Sequence, residues 1–217
     1  MSPTQQVWLG GDVATRYWST YAGMTIAPYG SLHMPGWRWR AVGGYGEYRY
    51  DGVRRLGSTP SLQRFRGRHG FAELLAGYQW RAGNWTLKAF GGAAISGHLV
   101  SPLDTDNSVS GTHIGAAVAV ESWLELSRAS WLSMSARWSS MFQGYKADAR
   151  LGFRLSPQLD FGLETAISGD RSYDAARAGA FVQSRWGAWE TRLSGGVTGD
   201  RDGDTSGYAT LNLMITY

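Results

Sequence analysis

Four histidines, His33, His69, His98 and His113, are the side chains in this sequence best suited to acid–base chemistry. A hydrolase needs a nucleophile, a base and an orienting group at one place. His98 has Ser101 nearby and His113 has Ser110 and Thr112, but none of the four histidines is followed two residues later by a serine. Loop-borne Ser and His at such spacings set no geometry, so no catalytic residue is assigned and the chain is not expected to be an enzyme. Asp104 and Asp106 could activate water as a carboxylate pair, although solvated loop charges explain them equally. Asp200, Asp202 and Asp204 alternate within DRDGDTSG and resemble the first half of an oxygen-ligand calcium loop. The terminal bidentate Glu of such a loop is absent, which makes these aspartates weak metal candidates. No other cofactor is expected. The chain has no Cys, which removes disulfides, thiol nucleophiles and Cys-based metal sites.

The elements that must carry these residues are strands. The last ten residues, YATLNLMITY, put Ala209, Leu211, Leu213, Ile215 and Tyr217 on one face and Thr210, Asn212 and Thr216 on the other. Apolar residues at period two, ending on an aromatic, describe the closing strand of an outer-membrane β-barrel. With 30 Gly, 11 Trp, 11 Tyr and only 18% charged residues, the chain differs from a typical soluble enzyme. A mean hydropathy of -0.29 does not contradict this, because only alternate residues of a barrel strand meet lipid. No run approaches the roughly 20 apolar residues of a membrane helix, so a closed barrel is the spanning structure that satisfies its own backbone.

Parity lays out about twelve strands, at 6–14, 17–27, 37–50, 70–81, 84–96, 112–126, 130–142, 145–155, 158–167, 175–186, 189–198 and 208–217. The expected fold is all-β, a single transmembrane up-and-down antiparallel barrel over 1–217 with both termini periplasmic, since an even strand count brings the ends together. Short turns at 82–84, 127–129, 156–158 and 187–188 fit the periplasmic side, and longer polar connections at 51–69, 97–111, 168–174 and 199–207 fit the outer side. The segment 28–36 is long for a periplasmic turn and the connection near Gln143 and Gly144 is short for an outer one, so the count could differ by one hairpin. The N-terminus, MSPTQQVWLGG, lacks an export signal, and Met1 is expected to replace one that has been removed.

The same parity separates lipid from lumen. Tyr145, Ala147, Ala149, Leu151, Phe153 and Leu155 point one way, while Lys146, Asp148, Arg150 and Arg154 point the other. By this rule the lumen face also receives Glu73, Arg81, Lys88, Glu121, Arg137, Asp160, Glu164, Arg177, Arg185, Glu190 and Arg192. An Arg or Lys facing hydrocarbon at mid-depth costs about 2–4 kcal/mol, which is why the charges belong inside. Trp37, Tyr78, Trp80, Trp85, Tyr145, Trp186, Trp189 and Tyr217 fall near strand ends, where interfacial girdles lie. Arg54, Arg55, Arg64, Arg66 and Arg68, with His69, make a basic cluster in the longest outward connection. Guanidinium forks there would suit phosphates of lipopolysaccharide, or the cluster is simply a solvated loop. The net charge of +4 is spread along alternate strand positions, so nucleic acid is not an expected partner, whereas outer-membrane lipid and lipopolysaccharide are.

The segments GGYGEYRYDG, GYQWRAGNWTLKAFGG, YDAARAGAF, and SGGVTGDRDG followed by YATLN resemble the outer-membrane family of cellulose biosynthesis protein BcsS. The resemblance runs over nearly the whole chain and implies a bacterial outer-membrane barrel associated with cellulose secretion. It carries no active-site motif. Two functions then compete. In the first, the barrel is a narrow pore or assembly component for a β-glucan chain, working with other cellulose-secretion components. Trp123, Trp131 and Phe181, inward by parity, would be the glycan-stacking surface. In the second, the same rings pack a plugged, charged lumen and the barrel is a non-conducting scaffold. An outer-membrane hydrolase acting on lipid or glycan through His98 or His113 is a third, weaker possibility.

Overall fold

The computed structural model describes residues 2–56, 59–104, 107–201 and 203–217. Twelve antiparallel strands close into one barrel. They are β1 (Gln5–Ala14), β2 (Tyr17–Ile26), β3 (Gly36–Leu56), β4 (Thr59–Ala82), β5 (Trp85–Ser101), β6 (Gly111–Glu125), β7 (Ser130–Ser139), β8 (Tyr145–Ser156), β9 (Leu159–Gly169), β10 (Asp174–Trp186), β11 (Trp189–Asp200) and β12 (Thr205–Thr216). Each strand pairs with its sequence neighbours, and β1 pairs with β12 to shut the seam, so that Gln6 faces Thr216 and Ala14 faces Tyr208. Closure leaves no open sheet edge along the wall, as a barrel wall in lipid requires. The count of twelve holds without a missing hairpin. The long connection at 28–36 and the tight one at 140–144 are both real, and each has a structural role described below.

Alternation decides the two faces. Along β10 the even positions Ala176, Ala178, Ala180, Val182 and Trp186 are exposed outward, and the odd positions turn inward. The outer surface is a belt of exposed apolar side chains that includes Leu9, Leu74, Val118, Leu163, Val182, Leu193 and Leu211. Trp37, Trp80, Trp85, Trp186, Trp189 and Tyr217 rim the belt near the end that holds the termini. Trp18, Tyr45 and Trp138 rim it near the opposite end, Trp18 and Tyr45 with ring centroids 5.8 Å apart. This is the surface that a lipid-facing barrel needs.

The largest departure from the expected layout is the β3–β4 hairpin. Residues 51–56 and 59–69 read as part of a polar loop, yet they continue the two strands in unbroken register, from Tyr45 opposite Gly70 to Leu56 opposite Thr59. Polarity hides the continuation: beyond Tyr45 the outward positions become Glu47, Arg49, Asp51, Arg64, Arg66 and Arg68, which no longer look lipid-facing. The other differences are at strand ends. Strand β7 stops at Ser139, because Phe142 (φ 52°) and Gln143 (φ 55°) adopt left-handed backbone in a tight turn.

Candidate functional site: the lumen and its two mouths

Glycine positions the inner-face aromatics. Across the sheet from several inward rings stands a Gly, and the ring lies flat where its side chain would be. A Cβ built on Gly152 would fall 2.2 Å from the Trp131 indole, and one on Gly162 would fall 2.6 Å from the Phe181 ring. The same relation joins Trp8 to Gly23, Tyr48 to Gly67 and Phe90 to Gly77. Rings laid against the wall in this way offer a flat face on which neighbouring rings pack.

Trp131 is the centre of the largest such group. It has no exposed surface, stacks on Trp123 with centroids 4.3 Å apart, and sits 5.6 Å from Phe181, which is only 2% exposed. Its indole N–H donates to Asp160 Oδ2 at 2.8 Å, and the same buried carboxylate takes Arg185 as an ion-pair partner. Arg185 Nε also lies 3.6 Å from Glu190, and Arg154 donates to both carboxylate oxygens of Glu125 at 2.6 and 2.8 Å. The structure therefore brings Trp123, Trp131 and Phe181 together, but Trp131 and Phe181 offer no free ring face to a glycan. Only Trp123 keeps partial exposure.

The remaining inward charges form pairs around the wall. Arg40 reaches Glu121 at 2.6 Å, Lys88 reaches the same carboxylate at 3.4 Å, and the Arg40 guanidinium lies 3.9 Å above the Phe90 ring. Arg137 donates to Glu73 at 2.7 Å through Nε. Arg150 bridges Asp148 at 3.0 Å and Glu164 at 3.4 Å, while Glu164 also accepts from Ser194 and Tyr208. Arg177 pairs with Asp12 at 2.6 Å. Lys146, Arg192 and Arg81 share the inner face without an ion pair among the described residues, and Arg81 instead donates to the carbonyl of His33 at 2.8 Å. Asp12 and Arg40 belong to this network and Arg38 is buried on the same face, but all three escape a reading built on the cleanest strands. Arg38 and Arg40 are flanked by Trp37 and Trp39, and the WRWR alternation was the signal that could have found them.

At the mouth holding the termini, the connection at 27–35 folds onto the inner face. Leu32 N–H bonds the carbonyl of Pro3 at 2.8 Å on the β1 side. From β4, Gln79 donates to the carbonyls of Leu32 at 2.9 Å and Met34 at 3.2 Å. Arg38, with no exposed surface, donates to the carbonyls of Ser31, Met34 and Trp37. The connection thus lies against the inner ends of the strands from β1 to β4, and the Trp131 group lines the facing wall from β6 to β10.

At the opposite mouth apolar side chains insert against one side of the wall. Val109, Met141 and Phe142 leave their connections and pack with Leu75, Phe90, Ala94, Ala117 and Ala119 in one buried cluster inside the wall of β4–β6. Phe142 meets His98 and His113 edge-on, with centroids 4.9 and 4.8 Å away. The connections at this mouth are tied together: Arg171 N–H bonds the carbonyl of Phe142 at 3.0 Å, and the Ser108 and Ser172 hydroxyls lie 3.1 Å apart. His69 stacks on His98 at 5.6 Å, and Tyr48 Oη lies 3.3 Å from His98 Nδ1. These two histidines lie beyond the Tyr45 girdle, where burial holds the His98 imidazole down to about 4. His98 and His113 both pack against the Phe142 ring. A small cavity of about 120 Å³ beside them is lined by Ser108, His113, Ile114, Ser140, Met141, Phe142 and Arg171.

In the 199–207 connection, Asp204 pairs with Arg16 and its N–H bonds Asp200 Oδ1 at 3.0 Å. Asp202 lies outside the described residues, as do Asp106 and the side chains of Arg54 and Arg55. No group of three His, Cys, Asp or Glu side chains suited to a metal ion occurs among the described residues.

The family model described as cellulose biosynthesis protein BcsS matches residues 6–217. No curated protein matches the chain significantly. Solved barrels share its fold at low sequence identity. The KdgM porin in complex with disordered oligogalacturonate has a TM-score of 0.57 at 8% identity, covering 98% of this chain and 99% of that one. The translocator domain of the autotransporter NalP from Neisseria meningitidis has a TM-score of 0.56 at 13% identity, covering 100% and 89%. The TodX deltaS2S3 mutant monoaromatic hydrocarbon channel has 0.55 at 8%, covering 100% and 90%.

Proposed function

The chain belongs to the cellulose biosynthesis protein BcsS family, and from that premise we propose that it is a closed outer-membrane barrel with both termini in the periplasm. It anchors or organises a cellulose-secretion assembly through its loops and does not carry solute through its bore. One observation carries this reading: at both mouths a connection of the chain folds inward. Arg38 and Gln79 hold the 27–35 connection on one side, and Val109, Met141 and Phe142 are inserted on the other. The buried inward carboxylates Asp12, Glu73, Asp160 and Glu164 each have an arginine partner in the wall, and breaking such a pair would cost several kcal/mol. The reading assigns the barrel no catalytic step and no cofactor.

A second reading, a narrow conduit for a β-glucan chain, is favoured by the partial exposure of paired lumen charges: Glu121 keeps 32% and Arg137 35% of its side-chain surface. The similarity to a porin that binds oligogalacturonate points the same way for fold. A unique cross-link separates the two, because the chain has no cysteine of its own. Leu32→Cys with Gln79→Cys, joined by a short bifunctional reagent on cells making cellulose, locks the 27–35 connection to β4. A scaffold continues to support cellulose output after locking. A conduit that opens by moving this connection loses it.

A further inference from the structure

The outward face of the β3–β4 hairpin carries a cross-strand arrangement that the lumen does not explain. Register puts Glu47 opposite Arg68, Arg49 opposite Arg66 and Asp51 opposite Arg64. All six side chains leave the sheet on the same side, the one that lower down presents Tyr45 and the apolar belt. Two pairs are complementary: Arg68 Nε lies 3.0 Å from Glu47, and Arg64 Nε lies 3.0 Å from Asp51, whose carboxyl is held below the usual range by that hydrogen bond. The middle pair is Arg against Arg, and like charges directly opposite destabilise a sheet. Arg66 turns away to share Glu47 with Arg68, and Arg49, exposed, has no ion pair among the described residues. Four guanidinium groups thus face two carboxylates on one strip of wall.

The height of the strip identifies its occupant. Arg68 is two residues along β4 from Gly70, the partner of Tyr45, so at about 3.3 Å per residue the first arginine stands roughly 7 Å along the strand from the aromatic girdle. Girdle aromatics mark the headgroup level of a bilayer. Arginines just beyond them, pointing toward the lipid side instead of into the bore, stand at the level of anionic headgroups, whose paired oxygens suit a planar guanidinium fork.

We propose that the outward face of the β3–β4 hairpin binds the anionic headgroup of an outer-leaflet glycolipid, held between Arg49 and Arg66 with Arg68 beside them. This rests on the outer-membrane placement proposed above and adds to it a specific lipid site on one side of the barrel. The bound oxyanion neutralises the facing arginines and ties the hairpin to the membrane surface. Glu47 competes with the lipid for Arg66 and Arg68.

The test is native mass spectrometry of the full detergent-solubilised chain titrated with diphosphoryl lipid A, with folding checked by heat-modifiable gel mobility. Wild type retains the lipid, Arg49→Gln with Arg66→Gln weakens retention by about tenfold or more, as loss of two charge-assisted contacts implies, and lipid A stripped of phosphate binds as weakly to all forms. Glu47→Gln, which removes a competitor, binds at least as tightly as wild type and keeps the proposal open to refutation should the double variant fail to fold. Equal retention by wild type and the double variant, or weaker retention by Glu47→Gln, overturns the site. So does preferential binding of a soluble anionic polysaccharide over lipid A. Fractionation of wild type in cells tests placement by itself, so unchanged lipid binding in a barrel that fractionates with the outer membrane overturns the site alone.

Discussion

Removing Trp131 is the sharpest test of whether the lumen is packed. The indole is fully buried, stacked 4.3 Å from Trp123, laid over Gly152 and hydrogen-bonded at 2.8 Å to a buried carboxylate. Trp131→Ala deletes the whole ring at a place where the strand backbone is fixed by its ladder on both sides, so collapse into the space is limited. Aromatic-to-alanine changes in packed cores cost about 3–5 kcal/mol, and the upper half of that range applies here. Trp131→Phe separates the two contributions. It keeps a ring over Gly152 but removes the N–H donor, and hydrogen bonds to charged groups contribute about 1.5–3 kcal/mol. Because Arg185 still holds Asp160, the lower half of that range is expected for Phe. Urea unfolding in detergent micelles, followed by gel mobility, reads both values. If Trp131→Ala falls within about 0.5 kcal/mol of wild type, as ordinary surface substitutions do, the ring is wet and the packed-lumen account is wrong.

Three further outcomes follow from the same geometry. Gly152→Ala places a Cβ about where the Trp131 ring already is and should destabilise by about 1–3 kcal/mol with a shift in tryptophan emission; an unshifted spectrum would refute the close contact. Arg38→Ala removes the bonds to the Ser31 and Met34 carbonyls, and hydrogen exchange at 27–35 should rise while the strands stay protected. His98 has a folded value of about 4 against 6.5 unfolded, so the unfolded chain binds the extra proton; the stability this neutral ring gives is present above 6.5 and lost as pH falls toward 4. Exchange in 139–144 should increase over that window in wild type and much less in His98→Phe.

Strand number and the inner and outer faces were legible because period two persists even where composition is mixed, as in β8, where Lys146, Asp148, Arg150 and Arg154 alternate with apolar partners. The β3–β4 extension was hidden by the same signal: once the outward positions pass Tyr45 they turn to Glu, Arg and Asp, and a strand then looks like a loop. The inward-folded connections were hidden for a different reason. Val109, Met141 and Phe142 lie in connections without periodicity, and nothing local to them says that they fold back into the bore. Trp131 and Phe181 show the limit of parity most clearly. It names a ring as inward, but only the cross-strand Gly152 and Gly162 reveal that the ring lies flat against the wall, buried by its neighbours.

The central claim is that the chain closes its own bore, and single-channel recording of the folded barrel in a planar bilayer tests it directly. Wild type is expected to be silent, while a variant with Phe142→Gly, Val109→Gly and Arg38→Ala, which loosens both mouths, is expected to conduct. Steady conductance in wild type, blocked by added cello-oligosaccharides, would contradict the closed barrel and establish a glucan conduit in its place.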